Sequence, residues 1–108
     1  MGDALFIERL FRFSDQEVAV RVYTPTLEPG GEYRCRWQIE WPDRSQRLAT
    51  CGIDGVQALM LALRSLHSEL VESDEYRNGQ LTYLDQRDLD LPPTWGDGPL
   101  SDAGPKSG

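Results

Sequence analysis

Residues 33–41 read YRCRWQIEW and residues 54–71 read DGVQALMLALRSLHSELV, and the change of period between them decides the fold. In the first segment every second residue is apolar or aromatic, as in a strand with one buried face. In the second segment the apolar residues recur three or four positions apart, as in a helix with one buried stripe. That stripe comprises Val56, Leu59, Met60, Leu63, Leu66 and Leu70. The two patterns together predict a helix that packs on a sheet.

Further elements are predicted on either side of these segments. Residues 4–13 (ALFIERLFRF) and 17–24 (EVAVRVYT) are expected to be strands, residues 45–51 (SQRLATC) a returning strand after a turn at Pro42-Asp43, and residues 80–84 (QLTYL) a short fifth strand. Residues 25–31 hold two prolines and two glycines, which predicts a loop. Asp54, with Gln57 three residues later, is typical of a helix start, and we expect the helix to run to about Ser73.

The predicted fold class is α+β, a four-stranded antiparallel meander with one long helix packed on one face. We expect residues 1–93 to form a single domain, because a chain of 108 residues suffices for one core. Residues 94–108 are rich in Gly, Pro, Ser and Asp and are expected to form a flexible, disordered tail. The predicted core residues are Val18, Val20, Val22, Tyr33, Trp37, Ile39, Leu59, Leu63, Leu66 and Leu70.

The charge and hydropathy of the chain restrict its partners. The net charge is −7, which argues against nucleic acid as the default partner. No apolar run reaches the roughly 18–20 residues that span a bilayer. Asp3, Glu8 and Arg9 interrupt the segment where a signal peptide would be apolar. We therefore expect a cytoplasmic protein that does not associate with a membrane.

The segments YRCRWQI (33–39) and ATCGIDGVQAL (49–59) resemble motifs of a family of small bacterial proteins of unknown function. Members of that family carry a Y-x-C-x-W-x-I strand and a G-V/I-D-x-V-Q-A-L helix start. The resemblance covers about residues 4–92 and supports the predicted fold. It implies no catalytic residues, and it leaves the function open.

Residues that usually carry catalysis or bind metals are few and poorly spaced. His67 is the single histidine and lies at the border of the helical stripe, so packing is the simpler interpretation of its role. Cys35 and Cys51 lack the close spacing of structural zinc ligands. They would lie opposite each other after a three-residue turn, and a shift of one residue would move Cys51 to the other face. We therefore predict that the protein is not an enzyme and holds no metal or cofactor.

An arginine-bearing face of the predicted sheet is one candidate binding surface. Arg34 and Arg36 point away from the aromatic face of their strand, and Arg21 and Tyr23 point away from the valine face of theirs. An exposed antiparallel face is ordinarily polar, but guanidinium groups also suit carboxylate and phosphate. This face is the candidate site for a small anion or a nucleic acid, with Tyr23 as a stacking platform.

A cluster of acidic residues at the end of the predicted helix is the other candidate surface, because the helix macrodipole favours cations there. The cluster comprises Glu69, Glu72, Asp74 and Glu75. Either the helix stops near Val71, or the cluster is presented to a basic protein partner. The leading hypothesis is a binding module that acts through this acidic surface, for example an immunity or antitoxin-like protein. Both monomer and homodimer stay open, with Trp41 and Trp95 as candidates for an exposed aromatic contact.

Overall fold

One antiparallel sheet with one long helix on a single face makes up residues 4–91, the part of the chain that the computed structural model describes. The elements are β1 (Leu5–Phe13), β2 (Gln16–Tyr23), β3 (Thr26–Leu27), β4 (Tyr33–Glu40), β5 (Ser45–Gly52), α1 (Gly55–Val71), α2 (Asp74–Arg77) and β6 (Leu81–Thr82). Across the sheet the order is β5-β4-β2-β1-β6, and β3 pairs with β4 on the same side as β2. The α+β class is confirmed, and the predicted tail lies outside the described residues.

Two short elements differ from the sequence prediction. β3 lies within the segment predicted as a loop and pairs with β4 at Arg34 and Tyr33. Two residues are too few to show a period of two, so the sequence holds no signal for it. The long helix ends at Val71 because Ser73 begins a new helix. The Ser73 hydroxyl accepts a hydrogen bond from the Tyr76 amide at 3.2 Å, which caps α2.

The predicted start of the long helix is confirmed by two reciprocal hydrogen bonds. The Asp54 carboxylate accepts from the Gln57 amide at 2.8 Å, and the Gln57 side chain accepts from the Ile53 amide at 2.9 Å. The first bond satisfies a backbone donor that the first helical turn leaves unpaired, and the second ties the Ile53 amide, just before the helix, to the same turn. No helix within residues 4–91 is both long and apolar enough to cross a membrane.

The buried face of α1 is rotated from the predicted stripe towards two alanines. Its buried residues are Ala58, Ala62, Leu66 and Leu70. Val56, predicted to be buried, is 67% exposed, so the prediction was wrong at this end of the stripe. Small side chains let the helix approach β4 and β5 closely. A Cβ atom on Gly52 would lie only 2.6 Å from the backbone nitrogen of Ala58.

The core lies between the sheet and α1 and holds more aromatic surface than predicted. The predicted strand residues are buried except Tyr33, which, like Leu59 and Leu63, is partly buried at the border. Trp41 is 4% exposed, and the Arg44 guanidinium lies 4.3 Å from its ring centre. The expectation of an exposed Trp41 was therefore wrong, and Trp95 lies outside the described residues. Core residues that the prediction omitted are Phe11, Cys35, Trp41, Ala58, Ala62, Leu81, Leu89 and Leu91.

An arginine on β1 fixes the chain that follows β6. The Arg9 guanidinium donates hydrogen bonds to the carbonyl oxygens of Leu89 (3.1 Å) and Asp90 (2.6 Å), and it lies 4.3 Å from the ring centre of Tyr83. Leu89 is buried and Leu91 nearly so. Because α1 packs mainly on β4 and β5, these leucines cover part of the inner face that the helix leaves open.

Candidate functional site

The face of the sheet away from α1, here called the open face, gathers much of the positive charge of the chain. Directly paired residues lie on the same face of an antiparallel sheet, so the strand registers identify its members. Its charged residues are Arg12, Arg21, Arg34, Arg36, Arg47, Glu8, Glu17 and Glu40. Five arginines thus lie among three glutamates on one face of a chain whose net charge is −7.

Arg21 and Arg34 on this face each have an acidic partner. The Arg21 Nε atom lies 2.8 Å from a Glu8 carboxylate oxygen on the neighbouring strand. The Arg34 Nε atom lies 3.9 Å from a carboxylate oxygen of Glu28. Both pairs are partly exposed, so they contribute little to stability. They do offset the charge of these two guanidinium groups.

A groove of about 590 Å³ crosses three strands of the open face. Tyr23 lies at one side on β2, Arg36 and Gln38 lie on β4, and Arg47 and Ala49 lie on β5. Trp37 and Leu48 also line it, and because their side chains point to the helix side, their backbone forms the floor. The volume falls within the roughly 300–1,000 Å³ that is typical of small-ligand sites.

Hydrogen bonds fix the uncharged side chains of this groove. The Tyr23 hydroxyl donates to the Gln38 carbonyl oxygen at 3.2 Å, across the β2–β4 pair. The Gln38 amide in turn donates to Glu40. The phenol ring therefore has a set position in the groove that Arg36 and Arg47 also line. This arrangement suits a ligand that combines an anionic group with a flat ring.

The acidic cluster at the end of α1 is partly engaged in local structure. Glu69 accepts a hydrogen bond from the Gln46 side chain at 2.9 Å. Glu75 accepts two from Arg44, at 2.9 and 3.2 Å. Asp74 and Glu75 also occupy the first turn of α2, where acidic residues are favourable. Glu72 and Asp74 remain exposed.

The remaining candidates for chemistry are dispersed. Cys35 is buried opposite Thr50, whereas Cys51 is exposed on the open face opposite Arg34. The two thiols therefore lie on opposite faces of the sheet. His67 is half-buried on α1. Within residues 4–91, no group of three or more His, Cys, Asp or Glu residues is placed to hold a metal ion.

Comparison with known proteins relates this arrangement to one family. A family model described as a domain of unknown function, DUF6968, matches residues 7–93. The chain belongs to the DUF6968 family. The expected membership of a family of unknown function is thus confirmed, and the bacterial origin of that family stays a prediction. No curated protein and no solved structure gives a significant match.

In this DUF6968 protein, Tyr23 and Arg36 of the groove were predicted from the sequence, whereas Arg47 and Gln38 were not. Arg47 is exposed and lies directly opposite Gln38. The signal that would have found it is the length of the β4–β5 turn. A two-residue turn places Arg47 on the open face, whereas a three-residue turn would place it opposite Ile39 on the helix side.

The ion pair between Arg44 and Glu75 predicts a loss of stability in acid. Hydrogen bonds from Arg44 lower the pKa of the Glu75 carboxyl below its usual value of 4.5, although partial burial opposes this. A carboxyl whose pKa is lowered by folding stabilises the folded state at pH values above its pKa in the unfolded chain. This contribution disappears as the pH falls through the pKa of the folded state. We expect Glu75→Gln to reduce the free energy of unfolding by about 0.2–1 kcal/mol at pH 7.

Urea unfolding of the DUF6968 protein at pH 7 and pH 3 would measure this difference. At pH 3 the wild type and Glu75→Gln should approach each other in stability. Glu72→Gln is the matched control, because Glu72 belongs to the same acidic cluster and is exposed at the end of α1. A difference that stays constant between the two pH values would contradict the role given to the Glu75 carboxylate.

Proposed function

We propose that this DUF6968 protein is a non-enzymatic binding module and that the groove on the open face is its ligand site. The observation that carries the proposal is the placement of Arg36 and Arg47 on adjacent strands, around one groove of about 590 Å³. Guanidinium groups bind phosphate and carboxylate through paired hydrogen bonds. The Tyr23 ring offers a surface on which a flat base can stack. The ligand that fits is a small phosphorylated molecule with a planar ring, such as a nucleoside monophosphate.

Isothermal titration of the full chain with a nucleoside monophosphate and with inorganic phosphate tests this proposal. We expect the nucleotide to bind more tightly than phosphate, and Arg36→Gln/Arg47→Gln to weaken its binding about a hundredfold. A hundredfold change is about 2.7 kcal/mol, which lies within the roughly 1.5–3 kcal/mol that a hydrogen bond to a charged group contributes. Tyr23→Leu should remove the advantage of the nucleotide over phosphate while leaving phosphate binding unchanged.

The matched control is Arg12→Gln/Arg21→Gln, which removes the same charge from the same face outside the groove. If both double variants lost affinity equally, the binding would reflect the overall field of the face rather than the groove. Absence of binding to either probe would also overturn the proposal.

The acidic surface at the end of α1 is the second candidate, with a basic protein as its partner. Its support is the net charge of −7 and the exposure of Glu72 and Asp74. It has less support than the groove because Glu69 and Glu75 already accept hydrogen bonds from neighbouring side chains. An immunity or antitoxin-like role is one form of this candidate. A basic partner released by Glu72→Lys/Asp74→Lys, but not by Arg36→Gln/Arg47→Gln, would favour it over the groove.

A further inference from the structure

The outer edge of β5 is a regular strand edge with no partner among residues 4–91. β5 has eight residues and pairs with β4 alone. Leu48, in its centre, is 46% exposed although it points to the helix side. A strand edge presents a row of backbone donors and acceptors that can pair with another strand. The edge is therefore a ready template for a further strand.

The opposite edge of the sheet carries the protections that β5 lacks. β1 has a bulge between Leu5 and Ile7, its last two residues pair with β6, and Arg9 is bonded to the chain that follows β6. Bulges, charges and covering segments are the features that block pairing at an edge. Along Ser45–Gly52 there is no proline and no irregularity of register, and the one charged residue is Arg47.

We infer that β5 pairs with β5 of a second copy of this chain, antiparallel, about a twofold axis that lies midway between Leu48 and the partner's Leu48. The axis is perpendicular to the sheet, so both long helices stay on one side and opposite residues share a face. In such a pairing, one residue of β5 must lie directly opposite the same residue of the partner. Leu48 is the residue that lets the whole of 45–51 pair with its own copy.

The side chains fit this register better than its neighbours. Leu48 meets the partner's Leu48 on the helix side, and Arg47 lies opposite the partner's Ala49. A register centred on Arg47 would place the guanidinium groups of the two copies opposite each other, which is unfavourable. A register centred on Ala49 would place Ser45 opposite the partner's Ile53, which lies beyond the end of β5. The dimer is one continuous sheet, and its two grooves lie on the same face.

Sedimentation equilibrium of the full chain tests the dimer, and Leu48→Arg tests the interface. We expect the wild type to dimerise and Leu48→Arg to raise the dissociation constant at least tenfold, because two cations would meet at the axis. Leu10→Arg is the matched control, since Leu10 is also 46% exposed but lies on β1. A wild type that is monomeric at all concentrations would overturn the inference. So would a dimer that Leu10→Arg weakens as much as Leu48→Arg.

A disulfide tests the register itself. In this dimer Ser45 lies directly opposite the partner's Cys51, at the roughly 4.5–5.5 Å Cα separation that a disulfide bridges. Ser45→Cys should therefore give a covalent dimer on mild oxidation. The wild type should not form a covalent dimer, because Cys51 and the partner's Cys51 lie six residues apart along the paired strands. Gln46→Cys is the control, because it points to the helix side. Cross-linking of Gln46→Cys, or none with Ser45→Cys, would overturn the register.

Discussion

Replacement of Trp37 by alanine is expected to remove about 3–5 kcal/mol from the free energy of unfolding. Trp37 is 1% exposed and lies in the strand next to the centre of the sheet, between Val22 on β2 and Leu48 on β5. Its removal would leave a cavity beneath α1, and the paired strands on both sides prevent the cavity from closing. Because a small domain is stable by only about 5–15 kcal/mol, this variant should unfold at a much lower urea concentration.

Trp37→Phe separates the volume of the side chain from its polar group. The indole nitrogen is buried and has no hydrogen-bond partner within residues 4–91. Its removal therefore breaks no bond, and we expect less than half of the loss caused by alanine. Leu84→Ala, at a position 74% exposed, should change stability by no more than about 0.5 kcal/mol. Equal losses in Trp37→Phe and Trp37→Ala would show that the indole N–H, rather than the ring volume, stabilises the core.

The alternation of residues 33–41 predicted β4 correctly because one face of that strand is covered along most of its length. Cys35, Trp37 and Ile39 are all fully buried or nearly so, and polar residues separate them. The stripe of α1 was harder to predict, since hydropathy alone favours the largest apolar side chains. Ala58 and Ala62 form the closest contact because they are small, and a search for large apolar residues places them beside the interface rather than in it.

The residues of the candidate site could be predicted only where their position did not depend on the pairing register of β4 and β5. Tyr23 and Arg36 were identified from the face of their own strand. Arg47 required the turn at Pro42-Asp43 to be known, and the decisive bond there runs from the Trp41 amide to the Arg44 carbonyl at 2.8 Å. A turn with one more residue would be equally compatible with the sequence. The groove is therefore a consequence of backbone geometry that composition and period do not encode.

Contacts between distant parts of the chain were also beyond the reach of local patterns. The Arg9 hydrogen bonds to Leu89 and Asp90 join residues about eighty positions apart. An arginine in an apolar strand gives no local sign of such a partner. The acidic cluster shows the same limit, because the partner of Glu75 is Arg44, thirty-one positions away. Both arginines could be identified as charged, but their roles depend on the tertiary fold.

Gly52→Ala is expected to destabilise the protein by about 1–3 kcal/mol, a typical cost of forcing extra volume into a packed core. The new Cβ atom would lie 2.6 Å from the Ala58 nitrogen and 3.0 Å from the Ala58 Cα atom. Both are backbone atoms of the first turn of α1, so no side chain can rotate away to relieve the contact. The helix would have to move off β5, which would also lengthen the hydrogen bond of 3.0 Å from the Thr50 hydroxyl to the Ala58 carbonyl oxygen.

Gly30→Ala is the matched control and should have the opposite sign. No atom lies within 4 Å of a Cβ at Gly30, and its backbone is outside the left-handed region. The substitution there should stabilise the protein by about 0.4–1 kcal/mol, because alanine restricts the unfolded chain. Chemical denaturation of both variants would measure the two signs. A Gly52→Ala variant as stable as Gly30→Ala would mean that α1 does not pack tightly against β5. Close packing would then no longer explain why Ala58 and Ala62 are the buried residues of the helix.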